Sequence, residues 1–413
     1  MPTHHAARRA AVLLGTVLVL AGCTTTVSGI PAPAGPSSTP PASPPGVLLH
    51  QQPGTGAPHQ FGGVPAYDAC TVLPLDVVAA AGVPFDLDLS SPAELQSARL
   101  TEDAADDPNG RGALSDAGIS QCQYPGQHDL LLTFTIHQAP FDVPESQASH
   151  ERSLQKEGAK EATVGGFRTL SAGHTDPIRS QSTMIFGQGF YATLDLLPGH
   201  EPDTLRDELV RRAAERLHAP PTGPATYTYS GDFAHVRPPC EIFTSADFKQ
   251  ALGFGTDGRP VEGYALATSH TVPAADSGTT GHIEALEVTT SCKQENQAAA
   301  NSGVGTTPAQ AITIKLTNYL TAQMATEAND YDCAPGKGYR RPFGEPKPIP
   351  FSVGDGLSCL FNMGSVQSPL TFKSGRTTVQ MTFFDPAGLG DNPTAIRVSS
   401  TAAQAVAAKL AAG

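Results

Sequence analysis

Ser153-Leu154-Gln155-Lys156 has the spacing at which a lysine helps to deprotonate a nucleophilic serine. The Ser-Asp-Asn and Lys-Thr-Gly segments that complete such a site do not follow it, and the stretch from Ser149 to Lys160 reads as a solvated helix face. Ser153, with His137 and His150 upstream of it, would be the first suspects for a hydrolase or transferase site assembled from distant positions. Zinc chemistry has weaker support, since His150-Glu151 and His200-Glu201 each lack a second histidine one helical turn on. The acidic loop Glu102, Asp103, Asp106, Asp107, Asn109-Gly110 lacks the alternate-position ligand spacing of a calcium loop. No metal and no cofactor are therefore expected. Lys337, Arg340, Arg341 and Lys347 form a basic cluster whose arginines suit a carboxylate or phosphate, as on an anionic glycan, a lipid head group or an acidic partner.

The cysteines carry more information. Cys23 ends a run in which basic Arg8 and Arg9 precede an apolar stretch from Ala10 to Ala21 and then Gly22, the layout of an export signal. That stretch is too short to span a bilayer, which takes about 20 apolar residues. Setting Cys23 apart leaves Cys70, Cys122, Cys240, Cys292, Cys333 and Cys359, an even set that an exported chain should pair as disulfides. Removing Arg8 and Arg9 with the signal takes the 26 basic residues to 24, against 39 acidic ones. A body that acidic is poorly suited to nucleic acid or to anionic lipid surfaces, where Lys and Arg do the attracting.

Residues 24–60 run through Pro31, Pro33, Pro36, Pro40, Pro41, Pro44 and Pro45 with few large apolar side chains, which reads as a Pro-stiffened tether. After it the chain reads as if written twice. Cys122 follows Cys70 by 52 positions and Cys292 follows Cys240 by the same 52. Each first cysteine opens a helical pattern, ending at Ala81-Gly82 and at Leu252-Gly253. Each half closes with a Gly-turned hairpin and a helix, Leu205 to Leu217 in one and Ala402 to Leu410 in the other. Between these lie a strand from Leu130 to His137 and a helix from Pro144 to Lys160. In the second half a strand from Ile283 to Thr290 precedes a helix with Ile312, Leu316, Tyr319 and Leu320 on one face. Matching positions should pair within their unit, giving Cys70 with Cys122 and Cys240 with Cys292. Cys333 and Cys359 then bound the basic insertion.

This reading gives an α+β fold of two tandem duplicated domains, each an antiparallel sheet packed with helices. The ranges are 1–22 signal peptide, 23–60 lipidated cysteine and tether, 61–221 first domain and 222–413 second domain. Leu20-Ala21-Gly22-Cys23 resembles the lipobox of bacterial lipoproteins. With the tether and the starts Asp68-Ala69-Cys70-Thr71-Val72-Leu73 and Pro239-Cys240-Glu241-Ile242-Phe243, it resembles mycobacterial-type actinobacterial lipoproteins carrying tandem paired-cysteine domains of unknown function. That resemblance implies acylation of Cys23, palmitate included, anchoring on the extracytoplasmic face, and a domain similar to the PsbP and Mog1 sandwiches. It supplies no catalytic residues. The expected function is a non-enzymatic binding module for an envelope lipid, glycan or protein. An envelope enzyme and an extracellular sensor or scaffold subunit are the alternatives.

Overall fold

The computed structural model describes residues 47–61, 64–85, 94–100, 119–127, 129–138, 143–173, 180–197, 202–266, 270–273, 282–285, 287–296, 311–334, 347–360, 370–383 and 393–412. Cys23, the signal, most of the tether and the acidic loop lie outside them, as do Lys337, Arg340 and Arg341.

In chain order the first half contains β1 (Leu49–Gln52), β2 (Gln60–Phe61), β3 (Val64–Pro65), α1 (Ala69–Val72), α2 (Leu75–Ala80), β4 (Glu94–Ala98), β5 (Ile119–Pro125) and β6 (Leu131–Gln138). It continues with α3 (Val143–Lys156), β7 (Lys160–Val164), β8 (Phe167–Ala172), β9 (Gln181–Phe186), β10 (Phe190–Leu197) and α4 (Asp203–Leu217). After β11 (Thr226–Tyr229) come α5 (Pro239–Ile242), α6 (Ser245–Leu252), β12 (Val261–Ala265), β13 (His270–Pro273), β14 (His282–Ala285), β15 (Glu287–Glu295) and β16 (Ala311–Tyr319). The chain then forms α7 (Ala322–Cys333), β17 (Lys347–Pro348), β18 (Cys359–Leu360), β19 (Leu370–Ser374), β20 (Thr377–Phe383) and α8 (Pro393–Ala411).

Helices and antiparallel sheet are both present, with sheet dominant. Fourteen strands form one sheet in the order β17-β18-β19-β20-β16-β15-β12-β4-β5-β6-β10-β9-β8-β7. Outward from the β12–β4 junction, both sides list their strands in the same succession. Disulfides join Cys70 to Cys122, Cys240 to Cys292 and Cys333 to Cys359. Cys122 lies across from Ser97 and Phe134, and Cys292 lies across from Glu262 and Ile314, so each bridge fixes its opening helix to the core face of a central strand.

Local sequence explains the elements. Asp68 caps α1 by accepting from the Thr71 N–H at 2.7 Å. Thr244 and Asp247 form a reciprocal cap on α6, which Gly253 ends in the left-handed conformation at φ 87°. Along α4, Leu209, Val210, Ala213, Ala214 and Leu217 recur at helical spacing and are buried against the sheet.

Three expectations change. The stretch containing Ile312, Leu316 and Tyr319 is strand β16, not a helix. Its alternating Ile312, Ile314 and Leu316 enter the core, and β-branched Ile and Thr favour the extended chain. The helix expected to reach Lys160 stops at Lys156, because Gly158 turns the chain at φ 77° into β7. Residues 49–52, assigned to the tether, form β1, which pairs with β11, and Leu49 is fully buried.

The two halves do not keep separate sheets. β12 pairs with β4 from Val261 opposite Ala98 to Ala265 opposite Glu94. Beneath that seam Arg99 donates to Glu262 Oε1 at 3.0 Å, and the Tyr264 hydroxyl donates to Oε2 at 3.0 Å. The Glu262 side chain is 0% exposed, so both of its oxygens need these partners. Gly263 sits where a Cβ would come within 2.2 Å of Ser291 Oγ and 2.8 Å of Glu94 Oε2, so any larger residue would have to displace those two side chains. The β1–β11 ribbon braces the seam, with Tyr227 stacked on Tyr264 at 4.2 Å and Tyr229 donating to the Ala265 carbonyl at 3.1 Å.

Candidate functional site

Strand β10 reads Phe-Tyr-Ala-Thr-Leu-Asp-Leu-Leu and so has two different faces. Phe190, Ala192, Leu194 and Leu196 enter the main core, which leaves Tyr191, Thr193 and Asp195 for the opposite face. There α3 lies over the sheet, seated on a small cluster of Leu154, Leu170, Ala172, Met184 and Tyr191. That cluster holds the helix up without filling the space beside it. The result is a cleft of about 510 Å³ lined by His150, Ser153, Leu154, Glu157, Ser180, Ser182, Thr183, Thr193, Asp195 and Leu197. By contrast the gap around His235, Arg237 and Lys409 measures about 70 Å³.

The lining is organised around a carboxylate. Ser182 lies opposite Asp195 in the β9–β10 register and donates its hydroxyl to Oδ1 at 2.5 Å. Burial raises the Asp195 pKa above the ordinary carboxylate value, opposed by the Ser182 bond and by the nearby His150. His150 Nδ1 lies 3.1 Å from the Ser146 carbonyl, which can only accept. Nδ1 therefore carries a proton in that contact. The Tyr191 hydroxyl lies 3.2 Å from the same nitrogen and 2.5 Å from Ser146 Oγ. Burial raises the Tyr191 pKa, so the phenol stays protonated.

Of the sequence-selected suspects, Ser153 and His150 line this cleft together. His137 stands beside them on β6, stacked on Tyr191 with ring centroids 4.2 Å apart. Burial, with help from His150 and Arg259, lowers the His137 pKa to about 3, too weak a base to take a serine proton at neutral pH. His150 turns Nδ1 to Ser146 and Tyr191 rather than to Ser153. The Ser-x-x-Lys spacing thus brings a hydroxyl to the cleft, and among the described contacts no base is hydrogen-bonded to it.

Asp195, Ser182 and Thr193 were missed. Their signal was the alternation of β10, in which a carboxylate interrupts an otherwise apolar strand. Of the basic cluster, Lys347 is described, exposed, in the short strand β17 opposite Leu360. Among the described residues no group of three or more His, Cys, Asp or Glu is placed to hold a metal ion, and no described helix is long and apolar enough to cross a membrane. Comparison with known proteins finds no matching family model, no matching curated protein and no matching solved structure.

Proposed function

We propose that the chain is an envelope lipoprotein, held on the extracytoplasmic face by acyl chains on Cys23, that binds a polar envelope ligand without transforming it. The observation that carries the binding reading is the cleft under α3, where two carboxylates, five hydroxyl side chains and an imidazole converge, with no nucleophile hydrogen-bonded to a base among the described residues. We also read the chain as a tandem duplication of one α+β unit similar to the PsbP and Mog1 sandwiches. The equal cysteine separations and the matching strand successions support that reading.

Two experiments test it. Cells grown with labelled palmitate should incorporate label into the protein and lose both label and membrane retention in Cys23→Ala; label that survives the substitution overturns the anchor. Native mass spectrometry of the full chain against fractionated polar envelope extract should give a saturable added mass that Asp195→Asn removes and Ser153→Ala leaves in place. Turnover of any component that depends on Ser153 would overturn the non-enzymatic reading.

A further inference from the structure

Counted back from the first cysteine of each half, Tyr67 and Arg237 hold the same place, three residues before Cys70 and Cys240. In the first half that place is closed. The Tyr67 N–H donates to Gln138 Oε1 at 2.7 Å, and Gln138 Nε2 donates to the Pro65 carbonyl at 3.0 Å. The Tyr67 ring packs on Phe190 with centroids 5.2 Å apart, and Phe190 lies opposite Gln138 in the β10–β6 register. The second half puts Thr377 opposite Asn318 in the β20–β16 register, so both side chains are smaller there. A gap of about 70 Å³ stands at that place, lined by His235, Arg237, Asn318, Thr377 and Lys409, with Ile242 and Leu316 among its apolar walls. Asn318 is buried. Its Oδ1 accepts from the Thr377 hydroxyl at 2.9 Å, and its Nδ2 has no hydrogen-bond partner, whereas Gln138 is paired through both atoms.

The groups of opposite sign near the gap are each met by a cation. Asp247 is engaged by the Lys409 ammonium and the Thr244 N–H, and Glu241 lies 4.0 Å from Arg237. Arg237 Nη1 donates to the Lys409 carbonyl at 3.3 Å, which offsets the partial negative charge at the end of α8. Arg376 extends the cationic side: partial burial and then this arginine hold the His235 pKa below its ordinary value. We infer that the gap is a binding site for a tetrahedral oxyanion, phosphate or the phosphate end of a monoester, held between Arg237 and Lys409 with Asn318 Nδ2 as the inner donor. Guanidinium and ammonium donors make charge-assisted bonds to such oxygens, and the rest of a monoester extends into solvent. This site is separate from the cleft under α3 and does not rest on the binding reading above.

Titration calorimetry of the full chain at neutral pH with inorganic phosphate, glycerol 3-phosphate and acetate tests this. Phosphate should bind saturably at one site, and acetate, planar and singly charged, about tenfold more weakly. Arg237→Gln, at an exposed position where folding is not at stake, should weaken phosphate by about tenfold. Thr377→Phe, which installs the first half's residue in the gap, should remove the heat altogether. Glycerol 3-phosphate binding more tightly than phosphate assigns the site to a monoester end such as a lipid head group. The reverse order assigns it to the free ion, and either order supports the oxyanion. Acetate binding as tightly as phosphate, phosphate binding that survives both substitutions, or no heat from any probe overturns it.

Discussion

α3 and α7 occupy the same place in the two strand successions, each following the third strand out from the junction, but their surroundings differ. α7 lies on β16, β19 and β20, packs Ala325 and Met324 with Tyr319, and is fixed at its last residue by the Cys333–Cys359 bridge to β18. Its Asn329 also donates to the Leu357 carbonyl at 2.9 Å. α3 has no such bridge and seats its own Leu154 on four buried side chains of the sheet beside an open cleft. The sheet beneath differs in the same sense. Counting outward from Phe134 and Leu194 in one half, and from Ile314 and Met381 in the other, puts His137 level with Thr317, Tyr191 with Thr378 and Asp195 with Thr382. One end of the sheet is closed over small threonines. The other keeps a carboxylate, two imidazoles and a phenol at and beside the cleft.

Four measurements would break or sharpen that contrast. Arg99→Ala acts on both halves at once, because it strands the fully buried Glu262 at the seam. It should cost about 3–5 kcal/mol in urea unfolding, and a loss under 1 kcal/mol would mean that the seam does not couple the halves. Replacing Cys333 and Cys359 together by serine should cost about 3 kcal/mol in the chain-entropy account and raise amide exchange in α7 to the level of α3. Unchanged exchange would show that packing, not the bridge, fixes α7.

His137→Thr, which installs the opposite half's residue, tests the buried imidazole through pH. The folded ring titrates at about 3 and the unfolded one at about 6.5, so between those values only the unfolded chain takes up the proton. Wild-type stability should therefore fall as pH drops through that window and flatten below it. Each pH unit well inside the window contributes about 1.4 kcal/mol that the variant lacks. Parallel stability curves for the two proteins would refute a buried neutral His137. Asp195→Thr makes the smallest change. It relieves a carboxylate whose charge burial disfavours at neutral pH, so it should raise stability by about 1 kcal/mol while abolishing ligand binding. A stability loss instead would assign Asp195 to structure alone.

Much of this layout was legible in the sequence, because it is written in local or equally spaced signals. The paired cysteines, the Gly-turned hairpins and the first closing helix fall where pattern alone put them, while the last helix, expected from Ala402 to Leu410, begins nine residues earlier at Pro393. β16 was misread because Ile312, Leu316 and Tyr319 satisfy a helical spacing as readily as part of an alternating one. β1 was hidden by its prolines upstream, and its partner lies far along the chain at Thr226–Tyr229. The β4–β12 seam had no signature, since Glu-Leu-Gln-Ser-Ala is not a strongly apolar strand and its pairing is settled by distant residues. The cleft was half visible. Ser153 and His150 drew notice through motif spacing, whereas Asp195 and Ser182 meet only when β9 and β10 pair.

The seam between β4 and β12 also bears on what a half-molecule could do. Cut free of its neighbour, the first half would expose the hydrogen-bonding edge of β4 from Glu94 to Ala98. An open edge is a template for another chain, and a second copy of the same half would bring the same edge to it in antiparallel sense. Carrying both halves in one polypeptide pairs that edge within the chain and removes any dependence on concentration. It also lets the two ends of the sheet differ, so that one can stay closed while the other keeps a cleft.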